Sequence, residues 1–174
     1  FVPEGRIDPP SGHMTSPGTI SVTNETFIAL LSDIVMSMKV HGFEHIVLIG
    51  DSGGNVRPMQ AVADKFTAEW KGTPTVVHVA EHYDYNTVTK HMESIGAIPT
   101  DRADDGLHDD ATITMNMMVT DPQSVRWEAR VKAGKATING VSIADLDKAL
   151  EIGRQIVAFR AQVTANAIKK ATGR

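Results

Sequence analysis

The sequence predicts an α/β fold with a mainly parallel sheet. Residues 46–49 form a continuous apolar run of mostly β-branched side chains, which is typical of a strand buried on both faces. A second apolar strand is predicted at residues 75–79, and helical patterns precede and follow both runs. This alternation of helix and strand is the pattern of α/β proteins. The length of 174 residues favours one α/β domain, residues 1–174.

The first predicted helix precedes the strand at residues 46–49. Thr23 or Asn24 is expected to cap it, because short polar side chains accept hydrogen bonds from first-turn N–H groups. Gly42 is expected to end it. Apolar side chains at helical spacing predict one buried face, formed by Phe27, Leu30, Leu31, Ile34, Val35 and Met38.

The second helix follows that strand, and Asn55 or Val56 is expected to open it. It should run to about Trp70, because Gly72 and Pro74 then break the helical pattern. Its expected buried side consists of Met59, Val62, Ala63 and Phe66.

Four further elements are predicted in the rest of the chain. They are a short helix at residues 86–95, a Met-rich helix at residues 111–119 and a hairpin turning at residues 139–140. A long C-terminal helix follows, with Ser142 and Asp145 as a capping-box-like start.

Composition limits the class of partner. The 17 Lys and Arg against 21 Asp and Glu give a formal net charge of −4, which offers no electrostatic footprint for nucleic acid or an anionic membrane. No apolar run approaches the roughly 18 residues that a membrane span needs. The sequence has no cysteine, which fits a reducing compartment, so we expect a cytoplasmic protein. We expect its partner to be a small-molecule substrate rather than nucleic acid or a membrane.

The chain begins at Phe1 rather than Met, within a Pro- and Gly-rich extended stretch. We therefore expect these residues to be the C-terminal portion of a longer chain. Its upstream segment is expected to pair with them and to complete the active site.

A polar, glycine-rich turn follows the first strand at its carboxyl end, where open α/β sheets place their ligands. Gly53 and Gly54 allow positive φ and close backbone approach, and Asp51 and Ser52 bring an acceptor and a hydroxyl to the same point. We expect Gly53, Gly54 and Asn55 to contact substrate. The plainer alternative is a βα turn in which Asp51 or Ser52 only caps the next helix.

Three polar clusters lie where strands end or helices begin. Imidazole and carboxylate together suit a divalent cation, with positions left open for water. Such an ion lowers the pKa of bound water toward about 7 and polarises a carbonyl. The clusters are His13 in its loop, Asp51 with Ser52, and His108 with Asp109 and Asp110. For His108, Asp109 and Asp110, capping of the Met-rich helix is an equally good interpretation.

A different reading makes Ser52 a nucleophile. Its G-D-S string after a core strand resembles the SGNH hydrolases, in which a later D-x-x-H supplies acid and base. The string D-G-L-H from Asp105 to His108 has that form. In this alternative Ser52 attacks, His108 acts as base and Asp105 orients it.

Three segments taken together resemble the creatininase (creatinine amidohydrolase) family. Its members carry a loop like E-H-x-x-F-P-G-T-I-S and then H-G-F-R-x-I-V-x-V-N-G-H-G-G-N. Here G-H-M-T-S-P-G-T-I-S occupies residues 12–21, and H-G-F-E-H-I-V-L-I-G-D-S-G-G-N occupies residues 41–55. G-L-H-D-D-A-T at residues 106–112, with the later D-P-Q-S-V-R, is similar to the family's acidic segment H-A-G-E-x-E-T-S and its D-P-x-x-V-R.

The resemblance implies a three-layer α/β/α fold, a homo-oligomer and a hydrolase of a cyclic amide or related C–N bond. It also implies one or two divalent ions, Zn, Mn or Fe, that activate water. The family's metal-binding histidine falls on Ser52, so Asp51 is expected to supply that ligand together with His108 or Asp109, while His13 lines the pocket. The alternatives are a serine esterase that uses Ser52 and a non-catalytic binding or assembly subunit.

Overall fold

The computed structural model describes residues 2–102 and 110–173 of a mixed α/β chain that is mostly helical. Its two compact units comprise Phe1–Tyr83 with Val163–Arg174, and Asp84–Gln162. Among the described helices, none is both long and apolar enough to cross a membrane. In chain order the elements are α1 (Asn24–Val40), β1 (His45–Leu48), α2 (Gly53–Trp70), β2 (Thr75–His78), α3 (Tyr85–Ser94), α4 (Ala111–Met118), α5 (Trp127–Lys132), β3 (Thr137–Ile138), β4 (Val141–Ser142) and α6 (Leu146–Thr172).

The first unit is built around β1 and β2. These strands pair in parallel, with His45 opposite Thr75 and Leu48 opposite His78, which confirms the predicted strand direction. Alternate side chains of the strands pack with α1 and α2, and the expected buried side of α2 is confirmed. The core of this unit contains Phe27, Val35, Ile46, Leu48, Met59, Val62, Ala63, Phe66 and Val76.

Helix α1 follows its predicted start but not its predicted burial. Thr23 is the N-cap, and its hydroxyl accepts a hydrogen bond from the Thr26 N–H at 3.2 Å. Phe27 and Val35 are buried as expected. The prediction of one buried face was wrong for three residues, because α1 is apolar around most of its circumference and the core covers only one side. Leu30, Ile34 and Met38 are 52%, 40% and 37% exposed.

Helix α2 begins at Gly53, two residues before the predicted start. Ser52 takes the N-cap position with an extended backbone (φ −147°, ψ 140°), and the Asn55 N–H donates to the Ser52 carbonyl at 3.0 Å. This extended residue makes the change from strand to helix. Gly53 and Gly54 are therefore helical, and the positive φ expected of them is not used.

The second unit holds α3, α4, α5, the β3–β4 hairpin and the first part of α6. The hairpin is confirmed, with Asn139 and Gly140 at positive φ of 49° and 83°, as a type I′ turn requires. Met115 and Met118 are fully buried, so core packing explains them. Asp145 caps α6 through the Lys148 N–H at 3.1 Å.

Candidate functional site

Glu4, which is absent from the predicted site, holds the N-terminal loop to the start of α2. Its Oε2 lies 2.7 Å from His13 Nδ1, and its Oε1 accepts a hydrogen bond from Ser52 Oγ at 3.2 Å. The Glu4 side chain is only 20% exposed, whereas that of His13 is 55% exposed. One carboxylate thus joins two of the predicted site residues.

The loop that carries Glu4 is fixed by its own hydrogen bonds. The Glu4 N–H donates to Ser21 Oγ at 2.9 Å, and the Ser21 hydroxyl donates in turn to the Gly5 carbonyl at 3.0 Å. The His13 N–H donates to the Glu4 carbonyl at 3.0 Å. Because both backbone groups of Glu4 are bonded, the backbone from which its carboxylate reaches His13 and Ser52 is fixed.

Gly54 allows this loop to approach the first turn of α2. A Cβ at Gly54 would overlap the Pro3 carbonyl oxygen, whereas a Cβ at Gly53 would make an ordinary contact of 3.5 Å with Tyr83. The close backbone approach expected of the two glycines is therefore realised at Gly54, and Pro3 of the same chain is the group that approaches.

Ser52 lies at the N-cap position, yet its side chain makes no capping hydrogen bond. An N-cap serine usually accepts a hydrogen bond from an N–H of the first turn. Here the hydroxyl donates to Glu4 instead, so simple capping does not explain Ser52. The Glu4 carboxylate also lies at a helix N-terminus, where the backbone dipoles favour negative charge.

The remaining predicted residues fall in different surroundings. Asp51 is exposed in the loop between β1 and α2. Asn55 is 6% exposed, and within the described part of the chain its Oδ1 has no hydrogen-bond partner. Asp110 caps α4 by accepting from the Ile113 N–H at 2.7 Å, which confirms capping for that residue. Asp105, His108 and Asp109 lie outside the described residues.

The described residues do not by themselves make a metal site. Within residues 2–102 and 110–173, no three His, Asp or Glu side chains are grouped so that they could hold an ion. In the Glu4–His13 pair a carboxylate contacts one ring nitrogen of a histidine, which is an arrangement found behind metal-bound histidines. The described part therefore supplies one supported candidate ligand rather than a full set.

A cavity of about 550 Å³ lies beside the same loop. Its volume is in the range of small-molecule sites. Pro3 and Gly5 line it on either side of Glu4 in the sequence, so one stretch of backbone borders the cavity and carries the central carboxylate. The other lining residues are Arg6, Ile7, Asp8, Val22, Thr23, Asn24 and Gly54.

A second histidine at the carboxyl edge of the sheet is held neutral. His78 ends β2, is buried, and has Nδ1 3.2 Å from Gln60 Oε1. Burial lowers the pKa of His78 below its usual value of 6.5, and the nearby Glu81 charge opposes this only in part. His78 therefore contributes packing and a neutral hydrogen bond rather than a positive charge.

The sequence matches the family described as Creatininase: Creatinine amidohydrolase over residues 8–167. No curated protein and no solved structure gives a significant match. The matched range includes His13 and Ser52, while Glu4 precedes it. Because the match extends over most of the 174 residues, the chain belongs to the creatininase family.

Proposed function

We propose that this chain carries active-site residues of a hydrolase that opens a cyclic amide or a related C–N bond. Family membership supports an amidohydrolase. The observation that carries the proposal is the Glu4 carboxylate, held between His13 Nδ1 and Ser52 Oγ at 2.7 and 3.2 Å. Amide hydrolysis needs a base for the attacking water and an acid for the leaving nitrogen. One carboxylate can serve both steps.

In the proposed reaction Glu4 accepts a proton from water as the water oxygen bonds to the amide carbon. It then gives that proton to the nitrogen as the C–N bond breaks, which leaves a carboxylic acid and an amine on the opened ring, and the acid then releases its proton to solvent. His13 and Ser52 each contact one oxygen of Glu4 and so fix its plane. Such positioning lowers the entropy cost of bringing the carboxylate into a reactive geometry.

The first turn of α2 is the proposed site for the developing negative charge on the carbonyl oxygen. First-turn N–H groups lack acceptors within their own helix. Ser52 does not cap this turn, so its side chain leaves the N–H groups of Gly53 and Gly54 to the substrate. Removal of one such donor typically costs a factor of about 10²–10³ in kcat.

We also propose a divalent ion, Zn, Mn or Fe, for the complete enzyme, since the family generally binds one. His13 Nε2 and Asp51 are the proposed ligands, with His108 and Asp109 from outside the described residues. Such an ion would polarise the substrate carbonyl and acidify water. The described residues do not by themselves assemble a metal site.

The finer features of the full protein are proposals of the same kind. A three-layer α/β/α arrangement is supported by the parallel β1–β2 pair and by helices packed on it. A cytoplasmic location is supported by the absence of cysteine from the sequence.

Turnover of cyclic amides tests the proposed function. The protein is incubated with creatinine and with simple lactams and hydantoins, with Zn, Mn or Fe supplied, and products are followed by NMR. We expect ring opening of at least one compound. The absence of turnover across the series would contradict the proposal and favour a non-catalytic binding or assembly subunit.

One observation also favours the serine alternative. The Ser52 hydroxyl donates to a carboxylate, so Glu4 would act as its base directly, without Asp105 and His108. A fluorophosphonate probe followed by mass spectrometry separates the two mechanisms. An adduct on Ser52 supports the serine mechanism, whereas an active enzyme with no adduct supports attack by water.

A further inference from the structure

The cavity of about 550 Å³ beside the N-terminal loop contains a positively charged side chain that the proposed reaction does not use. Arg6 lines this cavity two positions after Glu4. Its N–H donates to Ser11 Oγ at 3.1 Å, and its carbonyl accepts a hydrogen bond from the Ser11 N–H at 3.0 Å. The backbone that carries the Arg6 side chain is therefore fixed on both sides, as that of Glu4 is.

The guanidinium of Arg6 is oriented by one hydrogen bond and keeps two nitrogens for a ligand. Its Nε donates to the Pro9 carbonyl at 2.9 Å. Within the described part of the chain, Nη1 and Nη2 have no hydrogen-bond partner, and Arg6 belongs to no ion pair. These two nitrogens form a planar fork that matches the two oxygens of a carboxylate. The protein thus orients the fork without occupying it.

The other charges at the cavity limit the kind of anion that fits. Thr23 and Asn24 place the N-terminus of α1 at the cavity, and the dipole of this helix favours negative charge there. Asp8 also lines the cavity and repels an anion, more strongly when the anion is doubly charged. A single carboxylate therefore fits better than a phosphate group, which carries nearly two negative charges at neutral pH.

The cavity extends to the proposed reaction site. Gly54, whose N–H is a proposed donor to the carbonyl oxygen, lines it together with Pro3 and Gly5, which flank Glu4 in the sequence. A cavity of this size accepts a small ring with a side group. A ring held near Gly54 can therefore direct its side group toward Arg6 within the same cavity.

We propose that Arg6 is a specificity residue that binds a carboxylate side group of the substrate, so that the preferred substrates are carboxylated cyclic amides. The class of ring rests on the proposed function, whereas the carboxylate contact depends only on Arg6 and the cavity. Hydrogen bonds between charged groups are strong, so loss of this pair should cost about tenfold or more in affinity. Because the side group does not react, Arg6 should act on KM rather than on kcat.

Binding of two matched compounds tests the carboxylate contact. 5-Oxoproline and 2-pyrrolidinone are the same lactam with and without a carboxylate, and NMR titration gives Kd for each. We expect the wild type to bind 5-oxoproline at least about tenfold more tightly. Arg6→Gln should abolish this preference and leave the binding of 2-pyrrolidinone unchanged. Equal binding of the two compounds by the wild type, or an unchanged preference in Arg6→Gln, would overturn the proposal.

A second arginine and added salt serve as controls. Arg57 is exposed on α2 and is not among the described residues that line the cavity, so Arg57→Gln should keep the wild-type preference. Loss of the preference in Arg57→Gln as well would indicate a general charge effect and would overturn the assignment to Arg6. In the wild type the preference should fall as NaCl is added, because salt screens exposed charges. A preference that salt does not change would contradict a charge contact.

Turnover of the same two lactams separates this proposal from the proposed function. An Arg6-dependent preference without ring opening would support the carboxylate site and contradict the hydrolase, whereas ring opening without the preference would do the reverse. Where the ring opens, Arg6→Gln should raise KM for 5-oxoproline about tenfold and leave kcat unchanged. A fall in kcat with an unchanged KM would overturn the specificity role of Arg6.

Discussion

Ser52 and Glu4 lie 48 positions apart in the sequence and are joined by a hydrogen bond of 3.2 Å from Ser52 Oγ to Glu4 Oε1. The bond diverts an N-cap hydroxyl from its helix and holds a carboxylate at the start of α2. His13 occupies the second oxygen of the same carboxylate. Both oxygens of Glu4 are therefore oriented, which is the property that a positioned proton carrier needs.

Alanine at Gly54 should loosen the loop that carries Glu4. Its Cβ would overlap the Pro3 carbonyl, and backbone cannot move aside as a flexible side chain can. We expect Gly54→Ala to lower the free energy of unfolding by about 1–3 kcal/mol and to reduce activity. Gly53→Ala is the control, because its Cβ meets Tyr83 at 3.5 Å and helix propensity favours alanine. Urea unfolding of both variants measures the effect, and equal stabilities would contradict it.

Removal of the His13 imidazole should lower metal content. His13 is a proposed ligand and Glu4 contacts its Nδ1, so His13→Ala removes one ligand together with its hydrogen bond to the Glu4 carboxylate. A lost outer-shell partner alone typically costs about 10–100-fold in affinity. His41→Ala, at the exposed end of α1, serves as the control. Elemental analysis after equilibration with Zn, Mn or Fe gives the readout, and unchanged metal content in His13→Ala would remove His13 from the ligand set.

Acid should destabilise the fold through His78. Burial lowers the pKa of this histidine below 6.5, so the unfolded chain takes up a proton at a pH where the folded protein does not. Its contribution to stability is complete above about pH 6.5 and is lost as the pH falls toward the folded-state pKa. We expect His78→Gln to lose less stability than the wild type between pH 7.5 and 5.5. Equal losses in urea unfolding would contradict this assignment.

Substitution of Ser52 separates water attack from serine attack. In the proposed reaction Ser52 only orients Glu4, so we expect Ser52→Ala to retain measurable turnover with kcat reduced by about tenfold, on the order of one lost hydrogen bond. In the serine mechanism the same variant is inactive, because the nucleophile is gone. Steady-state kinetics on the best substrate distinguishes these outcomes.

Local patterns predicted the regular elements well. The Thr23 cap, the buried side of α2 and the type I′ hairpin at Asn139 follow from short-range hydrogen bonding and periodicity. The start of α2 was missed because two glycines are typical of a flexible turn, whereas the helix already begins directly after the extended Ser52. The exposure of Ile34 was missed because periodicity shows which side chains share a face, not what covers that face.

The site was only partly predictable. His13 and Ser52 were marked by their positions in a Gly- and Pro-rich loop and at a strand end. Glu4 was not, because its role depends on contacts with residues 9 and 48 positions away. The available signal was an acidic side chain in the same Pro- and Gly-rich loop as His13, but spacing alone does not show that such a loop folds back onto α2.

The most direct test of the central claim is kcat/KM for cyclic-amide hydrolysis by Glu4→Gln. The substitution keeps the shape of the side chain and removes its ability to carry a proton. Glu25→Gln, on the exposed first turn of α1, is the matched control. We predict a loss of about 10²–10⁴-fold for Glu4→Gln and wild-type activity for Glu25→Gln. Wild-type activity in Glu4→Gln would contradict the assignment of Glu4 as the proton carrier.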